Sequence, residues 1–483
     1  MMDRPVRIER TEVLVIGGAL AGLAAANAAA DAGAGVMLMS KGKPGHSGST
    51  LYIGGYITWC PPGQEQLLCD QIRWTGGYLG DPSLVSVLAE NINEANQRLV
   101  GWGLAMNALA PTDKPTVAEV DCPPRQPKGY LLGKVMAERA AQQGVDMRAG
   151  LSVVALLAGE DGEVCGALAV DNEASEFVAV QAGQTIVATG GGARAFARCD
   201  NPRGTTGDGF LLALEAGASL VDMELINFNY EYSDMEAALE RGPSVVGERG
   251  TAHYFLGGIK IDEYGRTRVP GLLAAGEVTG GLLGAARLGG SALAECLVFG
   301  LRAGEAAALG SVDGTVEADV FQTIAETAAD SQCAKLAAGV GETLSDVSNR
   351  IRQTAWVCGG VVKDEAYLRR GLDALYELSE TVDSLQVAHV SDLSQLHEIR
   401  SIYFAVLASM EAACLRRETR GNFWRSDFPS PDREAGAYRS IVFWNDGRLR
   451  VVQRPLPAEM PLNDYPIRIG PGCFGYDFSN GPR

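Results

Sequence analysis

Two apolar runs near the start of the chain, Val13-Leu14-Val15-Ile16 and Val36-Met37-Leu38-Met39, flank an Ala-rich stretch from Leu20 to Ala32. Short apolar runs bounded by glycine read as buried strands and alanines favour helix, so this segment predicts a β-α-β unit. Apolar positions at helical spacing follow over residues 82 to 102 (Leu84, Val85, Leu88, Ile92, Leu99), and Leu131 to Gln142 reads as another helix. From Val145 to Val187 the pattern turns to strands: Val153-Val154, a turn at Asp161-Gly162, Val164 to Val170, Phe177 to Val180, and Ile186-Val187. Ala218 to Phe228 is strand-like, whereas residues 229 to 252 are polar and lack clear periodicity. Beyond about residue 310 the periodicity becomes helical, with Lys335 to Ala337, Leu368 to Leu378 and Leu396 to Leu415 the clearest pieces. Residues 431–483, rich in Pro, Gly and aromatics, predict an irregular wrap-around tail. The fold class expected from this order is α/β, followed by a helical domain over residues 309–430.

Length and composition narrow the picture. A chain of 483 residues exceeds what one core usually organises and can enclose a cofactor. Its 60 glycines are many, and glycine concentrates where backbone must approach something closely. The formal net charge of −18 argues against nucleic acid as a partner, since phosphate backbones demand clustered Lys and Arg. The ten cysteines contain no C-x-x-C pair and stand in no metal-ligand spacing with the four histidines, so neither an iron–sulfur cluster nor a zinc site is expected. No uncharged apolar run reaches membrane-spanning length, and the first strand begins too early for a signal peptide. A cytoplasmic protein with reduced thiols is the expectation.

Gly17-Gly18-Ala19-Leu20-Ala21-Gly22 directly follows a strand and opens a helix, the context that makes a glycine pattern a dinucleotide fingerprint. The helix N-terminus there would meet a pyrophosphate with free N–H groups and the positive end of the dipole. Two departures stand out: the middle glycine is Ala19, and the second strand ends Met39-Ser40-Lys41 where a ribose-binding Asp or Glu is usual. Further along come Ser40-Lys41-Gly42, Gly48-Ser49-Thr50, Gly54-Gly55, Ala188-Thr189-Gly190-Gly191-Gly192, Thr206-Gly207-Asp208-Gly209, Leu273-Ala274-Ala275-Gly276-Glu277, Gly284 to Gly290, and Arg417-Glu418-Thr419-Arg420-Gly421 with Arg425, Asp427 and Pro429. Taken in order, these resemble the flavoprotein family of fumarate reductase, succinate dehydrogenase and L-aspartate oxidase.

The resemblance implies a Rossmann-like FAD-binding domain at residues 1–228 and 253–308. The cofactor residues it implies are Gly17, Gly18, Ala19, Ala21, Gly22, Ser40, Lys41, Gly48, Ser49, Thr50, Gly54, Gly55, Val154, Ala188, Thr189, Gly190, Gly191, Asp208, Gly276, Glu277, Arg287, Gly290, Ser291, Ala292 and Leu293. Glu277, after an apolar strand and a glycine, suits the ribityl hydroxyls. The helix pattern opening near Gly290 can place a positive N-terminus at the flavin edge that gains charge on reduction. Part of the family links FAD covalently through a His six residues ahead of the glycine pair. That position is Gly48 here, and His46 is off register, so noncovalent FAD is expected.

At the substrate end, Asp222-Met223-Glu224 through Tyr230 resembles a family segment in which Asn229 replaces a substrate-contacting His. His253-Tyr254, ahead of Gly257-Gly258-Ile259, and Arg287 stand where the family binds a substrate carboxylate. Arg287 serves as a fixed bidentate donor and His253 as a donor whose charge depends on pH. The family's capping domain lies between these motifs and contributes a proton-transferring Arg. Here Glu231 to Ala252 is too short for a domain, and residues 229–252 read as its remnant. Glu248, Arg249 and Tyr230 are the nearby acid–base candidates, none assigned. The expected activity is FAD-dependent oxidation or reduction of a small carboxylate-bearing molecule by hydride transfer at flavin N5. A partner chain or the tail should cover the flavin. Two alternatives stay open: an FAD-holding electron-transfer subunit of a larger complex, and a scaffold that has lost the flavin.

Overall fold

The computed structural model describes residues 6–107, 114–230, 250–310, 316–337 and 342–456. The predicted unit is β1 (Arg7–Ile16), α1 (Leu20–Asp31) and β2 (Val36–Ser40). Val13 to Ile16 and Val36 to Met39 are buried, as continuous apolar runs are when a parallel sheet is covered on both faces. β1 lies between β2 and the strand Glu176–Val187, all parallel, with Ile16 in register with Met39 on one side and Val187 on the other. Asp146–Ala149 extends the parallel layer beyond β2, and Leu272–Ala274 adds beside Thr185 to Val187. The antiparallel pair Leu151–Ala158 and Val164–Asp171 completes the seven-stranded sheet. The carboxyl ends of β1, β2 and Glu176–Val187 therefore meet at one edge, the place where open α/β sheets bind ligands. α1 is buried from Leu20 to Ala29 and packs against the helix Ser291–Gly310.

Several expectations need correcting. Phe177–Val180 and Ile186-Val187 belong to a single strand. The pattern over Ala218–Phe228 is two short strands, Leu220–Val221 and Ile226–Asn229, broken where Asp222 takes a φ of +57°. Lys335–Ala337 is not helical: it follows the end of the helix Ala318–Cys333, and its backbone pairs with Val387 instead. Three residues are too few to carry a helical period. Pattern reading passed over the helices Glu65–Thr75, Asp208–Glu215, Ala318–Cys333 and Leu344–Gly359; in the third, small Ala325 and Ala329 share the buried stripe with Phe321 and blunt its contrast. Nor is the described part of the tail irregular. Tyr438–Asn445 and Arg448–Pro455 form a hairpin around Asp446-Gly447, whose φ values of +50° and +70° are those of a primed two-residue turn. The hairpin joins Leu220–Val221, Gly258–Lys260 and Thr279–Gly280 in a second, five-stranded sheet. Residues 457–483, and 231–249 of the cap remnant, lie outside the described residues. Among the described residues, no helix is long and apolar enough to cross a membrane.

The arginine signature of the helical domain is internal scaffolding. Its first arginine is Arg416 rather than Arg417, which is exposed. Arg416 donates to Glu224 at 2.8 Å and to Glu418 at 2.9 Å, and Arg420 donates to Glu418 at 2.6 Å, with all four side chains fully buried. Arg425 pairs with Asp427 and donates to the carbonyls of Ala413 and Arg416. The same segment braces the loop that leads to Arg287. Arg420 donates to the Gly77 carbonyl, and the Asn422 N–H bonds the Ala285 carbonyl at 2.8 Å. Gly421 makes this approach possible: it sits at φ +56°, and a Cβ there would lie 2.5 Å from the Ala285 oxygen.

Candidate active site

The turn after β1 needs glycine. Gly17 sits at φ +123°, and a Cβ on it would lie 2.1 Å from the Ala188 oxygen. α1 then starts at Leu20 behind Ala19, which supplies no side-chain cap; the Leu20 N–H is met by Thr50 Oγ1 at 3.2 Å. An uncapped N-terminus facing a cleft is suited to an anionic group.

That cleft is a cavity of about 520 Å³ at the carboxyl edge of the sheet. Of the residues expected to hold the cofactor, Gly17, Gly18, Ala19, Ala21, Ser40, Lys41, Gly48, Ser49, Thr50, Ala188, Thr189, Gly190, Asp208 and Glu277 line it. Gly22, Gly54, Gly55, Gly191, Gly276, Arg287, Gly290, Ser291, Ala292 and Leu293 do not. Val154 does not either; its strand neighbour Val153 takes that place, since successive side chains point to opposite faces. Sequence reading missed His46, Leu151, Pro202 to Thr205, Cys296 and Glu398. His46, set aside as off register, lies in the wall, with its ring 5.0 Å from that of Tyr130. Nothing local in the sequence could have found Glu398, which reaches the cavity from the helix Leu393–Leu415.

Lys41 is fixed by partners. Its Nζ sits 2.5 Å from both Asp208 and Glu398. Burial works against its charge, but the two carboxylates outweigh burial and hold the ammonium above its ordinary range.

Farther along, Glu277 is buried and accepts the Phe255 N–H at 3.1 Å. Burial pushes its carboxyl up to about 7 against that hydrogen bond, the charge of Arg287 and the Gly191 N–H. Burial pushes Glu295 up to about 8; its carboxyl accepts from the Tyr254 hydroxyl at 2.8 Å. The Arg287 guanidinium lies over the Tyr254 ring, 4.7 Å from its centroid. His253, next in the strand Thr251–Phe255, turns its Nδ1 to Asp200 at 3.0 Å, and Asn229 Nδ2 donates to the same carboxylate at 2.7 Å. Neighbouring strand residues turn to opposite faces, so Tyr254 meets Arg287 and Glu295 while His253 turns to Asp200, which also engages Asn229.

The donor set fits FAD. An uncapped helix start suits a diphosphate, and the Thr189 hydroxyl is buried without a hydrogen-bond partner among the described residues. Glu277 is a buried acceptor at the cavity wall, suited to hydroxyls. If it accepts ribityl hydroxyls, only its ionised form serves, so binding should depress its pKa. FAD affinity should then rise with pH, by up to about tenfold per unit below about 7, and level off above. Fluorescence titration of the apoprotein between pH 5.5 and 8.5 checks this, with Glu277→Gln expected to give a flat profile.

The matches to known proteins agree with this geometry. The FAD binding domain family model matches residues 12–229 and 244–293, and the fumarate reductase flavoprotein C-terminal model matches 348–466. One subunit of the CoM/CoB fumarate reductase of Methanothermobacter marburgensis is 25% identical, over 86% of this chain and 94% of its own. The L-aspartate oxidase of Mycobacterium bovis is 28% identical, over 91% and 96%. A structure of quinol-fumarate reductase with menaquinol molecules superposes with a TM-score of 0.82 at 20% identity, covering 94% of this chain and 99% of that one. The chain belongs to the fumarate reductase, succinate dehydrogenase and L-aspartate oxidase flavoprotein family, and it is an FAD-dependent oxidoreductase.

Proposed function

We propose that the chain transfers hydride between a small carboxylate-bearing substrate and flavin N5, with Arg287 binding the carboxylate and His253 beside the carbon that reacts. The observation that carries this reading is the state of Arg287. Its guanidinium is held by the Tyr254 ring, and among the described residues it has no salt-bridge partner. Its charge acts on Glu277 and Glu295, but neither carboxylate is in ion-pair contact with it, and a positioned arginine fork with that place open is suited to receive a carboxylate. Bound noncovalently, FAD supplies the two-electron chemistry, and this chain supplies position and field. Lys41 is committed to Asp208 and Glu398, so it orders the wall of the cavity and is not available to the substrate.

The test is anaerobic bleaching of bound FAD by succinate, L-aspartate and L-malate, together with reoxidation of the reduced protein by fumarate. Loss of the absorbance near 450 nm with one of the three, or its return with fumarate, is expected. A flavin inert to all four would overturn the reading. A second reading, a flavin-holding subunit that works through a partner chain, is favoured by the short interval between Tyr230 and Gly250, and by the name of its M. marburgensis relative as a subunit. Turnover by the isolated chain would remove it.

A further inference from the structure

Asp200 collects four donors, the first being Asn201 Nδ2 at 3.1 Å. His253 Nδ1 lies 3.0 and 3.1 Å from its two oxygens, Asn229 Nδ2 2.7 Å away and Thr251 Oγ1 3.0 Å away. Burial works against its charge, but the hydrogen bonds from His253, Asn229 and Thr251 outweigh burial and hold the carboxyl below its ordinary range. The arrangement is fixed by backbone as well. The Ala252 N–H donates to the Arg198 carbonyl at 2.9 Å, and Asn201 Nδ2 donates to the His253 carbonyl at 2.6 Å while its Oδ1 accepts from Ser49, a residue of the cavity wall. With Nδ1 turned to a carboxylate, a neutral His253 carries its proton there. Nε2, on the far side of the ring, then has a free lone pair and makes no hydrogen bond to a described residue. Both side chains keep about a third of their surface exposed.

Resting on the functional reading above, we propose that His253 is the acid–base residue of this site and Asp200 its positioning residue, together serving where the shortened cap leaves no assigned proton-transfer group. In the oxidative direction the substrate carries a hydroxyl or amine on the carbon beside its carboxylate. The O–H or N–H proton passes to His253 Nε2, and the C–H bond breaks with its electron pair leaving as hydride to the bound FAD, the oxidant. A C=O or C=N bond forms, and the imidazolium left behind is balanced by the Asp200 carboxylate. In reverse, Nε2–H returns the proton. Asn229 and Thr251 hold the second Asp200 oxygen so that the carboxylate does not rotate away.

The first measurement needs no substrate. The chain has four histidines, so ¹⁵N-histidine labelling of the FAD-loaded protein at pH 8.5, with the signal of His253 assigned by its loss in His253→Gln, reads the tautomer directly. Nδ1–H is expected in the wild type and a shift toward Nε2–H in Asp200→Asn, as happens when a histidine loses its orienting carboxylate. An Nε2–H tautomer in the wild type would overturn the proposal. The second measurement is the limiting rate of flavin reduction by L-malate or L-aspartate, whichever bleaches the flavin. Asp200→Asn should slow it by roughly 10²- to 10⁴-fold with half-saturation within about threefold, and Asp200→Glu should recover part of the loss. An unchanged limiting rate would overturn it. If neither compound bleaches the flavin while succinate or fumarate reacts, the functional reading stands and the acid–base step proposed here is overturned; if all four are inert, the functional reading itself fails, and the tautomer still decides the Asp200–His253 pairing.

Discussion

Glu418→Ala is expected to lower the unfolding free energy by about 3–5 kcal/mol, the range for removing one partner from a buried ion pair. Glu418 is the carboxylate shared by Arg416 and Arg420, with contacts of 2.9 and 2.6 Å and no exposed surface on any of the three. Arg416 would keep Glu224, whereas Arg420 would lose the Glu418 carboxylate and keep its bonds to the Gly77 and Asp432 carbonyls. A fully buried guanidinium would then hold one carboxylate fewer. Glu418→Gln should cost less, because the amide oxygen still accepts. The half-exposed pair Arg350–Glu342 supplies the contrast: breaking it should cost at most about 1 kcal/mol. Urea unfolding of the FAD-loaded protein measures all three, provided that the slope with denaturant is unchanged. A Glu418→Ala midpoint equal to that of the wild type would mean that water or a neighbouring side chain solvates Arg420.

The second large effect concerns turnover. Arg287→Ala should reduce kcat/KM for the active carboxylate by about 10²- to 10⁴-fold, the loss of two charge-assisted hydrogen bonds, while the protein stays yellow. Arg287→Lys should recover only part, since a point charge cannot reproduce the planar fork resting on Tyr254. Stopped-flow reduction over a range of substrate concentrations separates the two. Unchanged saturation in Arg287→Ala would remove Arg287 from carboxylate binding.

What the sequence made legible follows from how local each signal is. Val13 to Met39 announces a β-α-β unit because strand, turn and helix are adjacent, and the Gly17 turn follows from the close approach of Ala188. The hairpin at 438–455 was equally local in its Asp446-Gly447 turn, but the aromatic and proline content of the region masked it. Val153 lines the cavity where Val154 was expected, and one position along a strand exchanges one face for the other. Glu398 and Asp200 are of a different kind. One reaches Lys41 across 357 positions of sequence and the other reaches His253 across 53, and neither sits in a motif of recognisable spacing. The arginine signature was legible as a run, but its burial was not: alternating charges in sequence usually mean a solvated surface, and here they form an internal lattice.

The hydrogen bond from Asn422 to Ala285, with Gly421 fitted beneath it, has a consequence for how this protein can be rebuilt. Arg287 stands two residues beyond Ala285, whose own N–H is tied to the Gly76 carbonyl. Three segments far apart in the chain therefore set the height of one arginine above its ring. The loop that carries Arg287 is not a portable module of the nucleotide-binding half. A chimera that imports residues 282–289 from a relative must bring residues 416–427 with them, and the turn at Gly76 as well. Transplanted alone, the loop would carry the correct side chain at the wrong height.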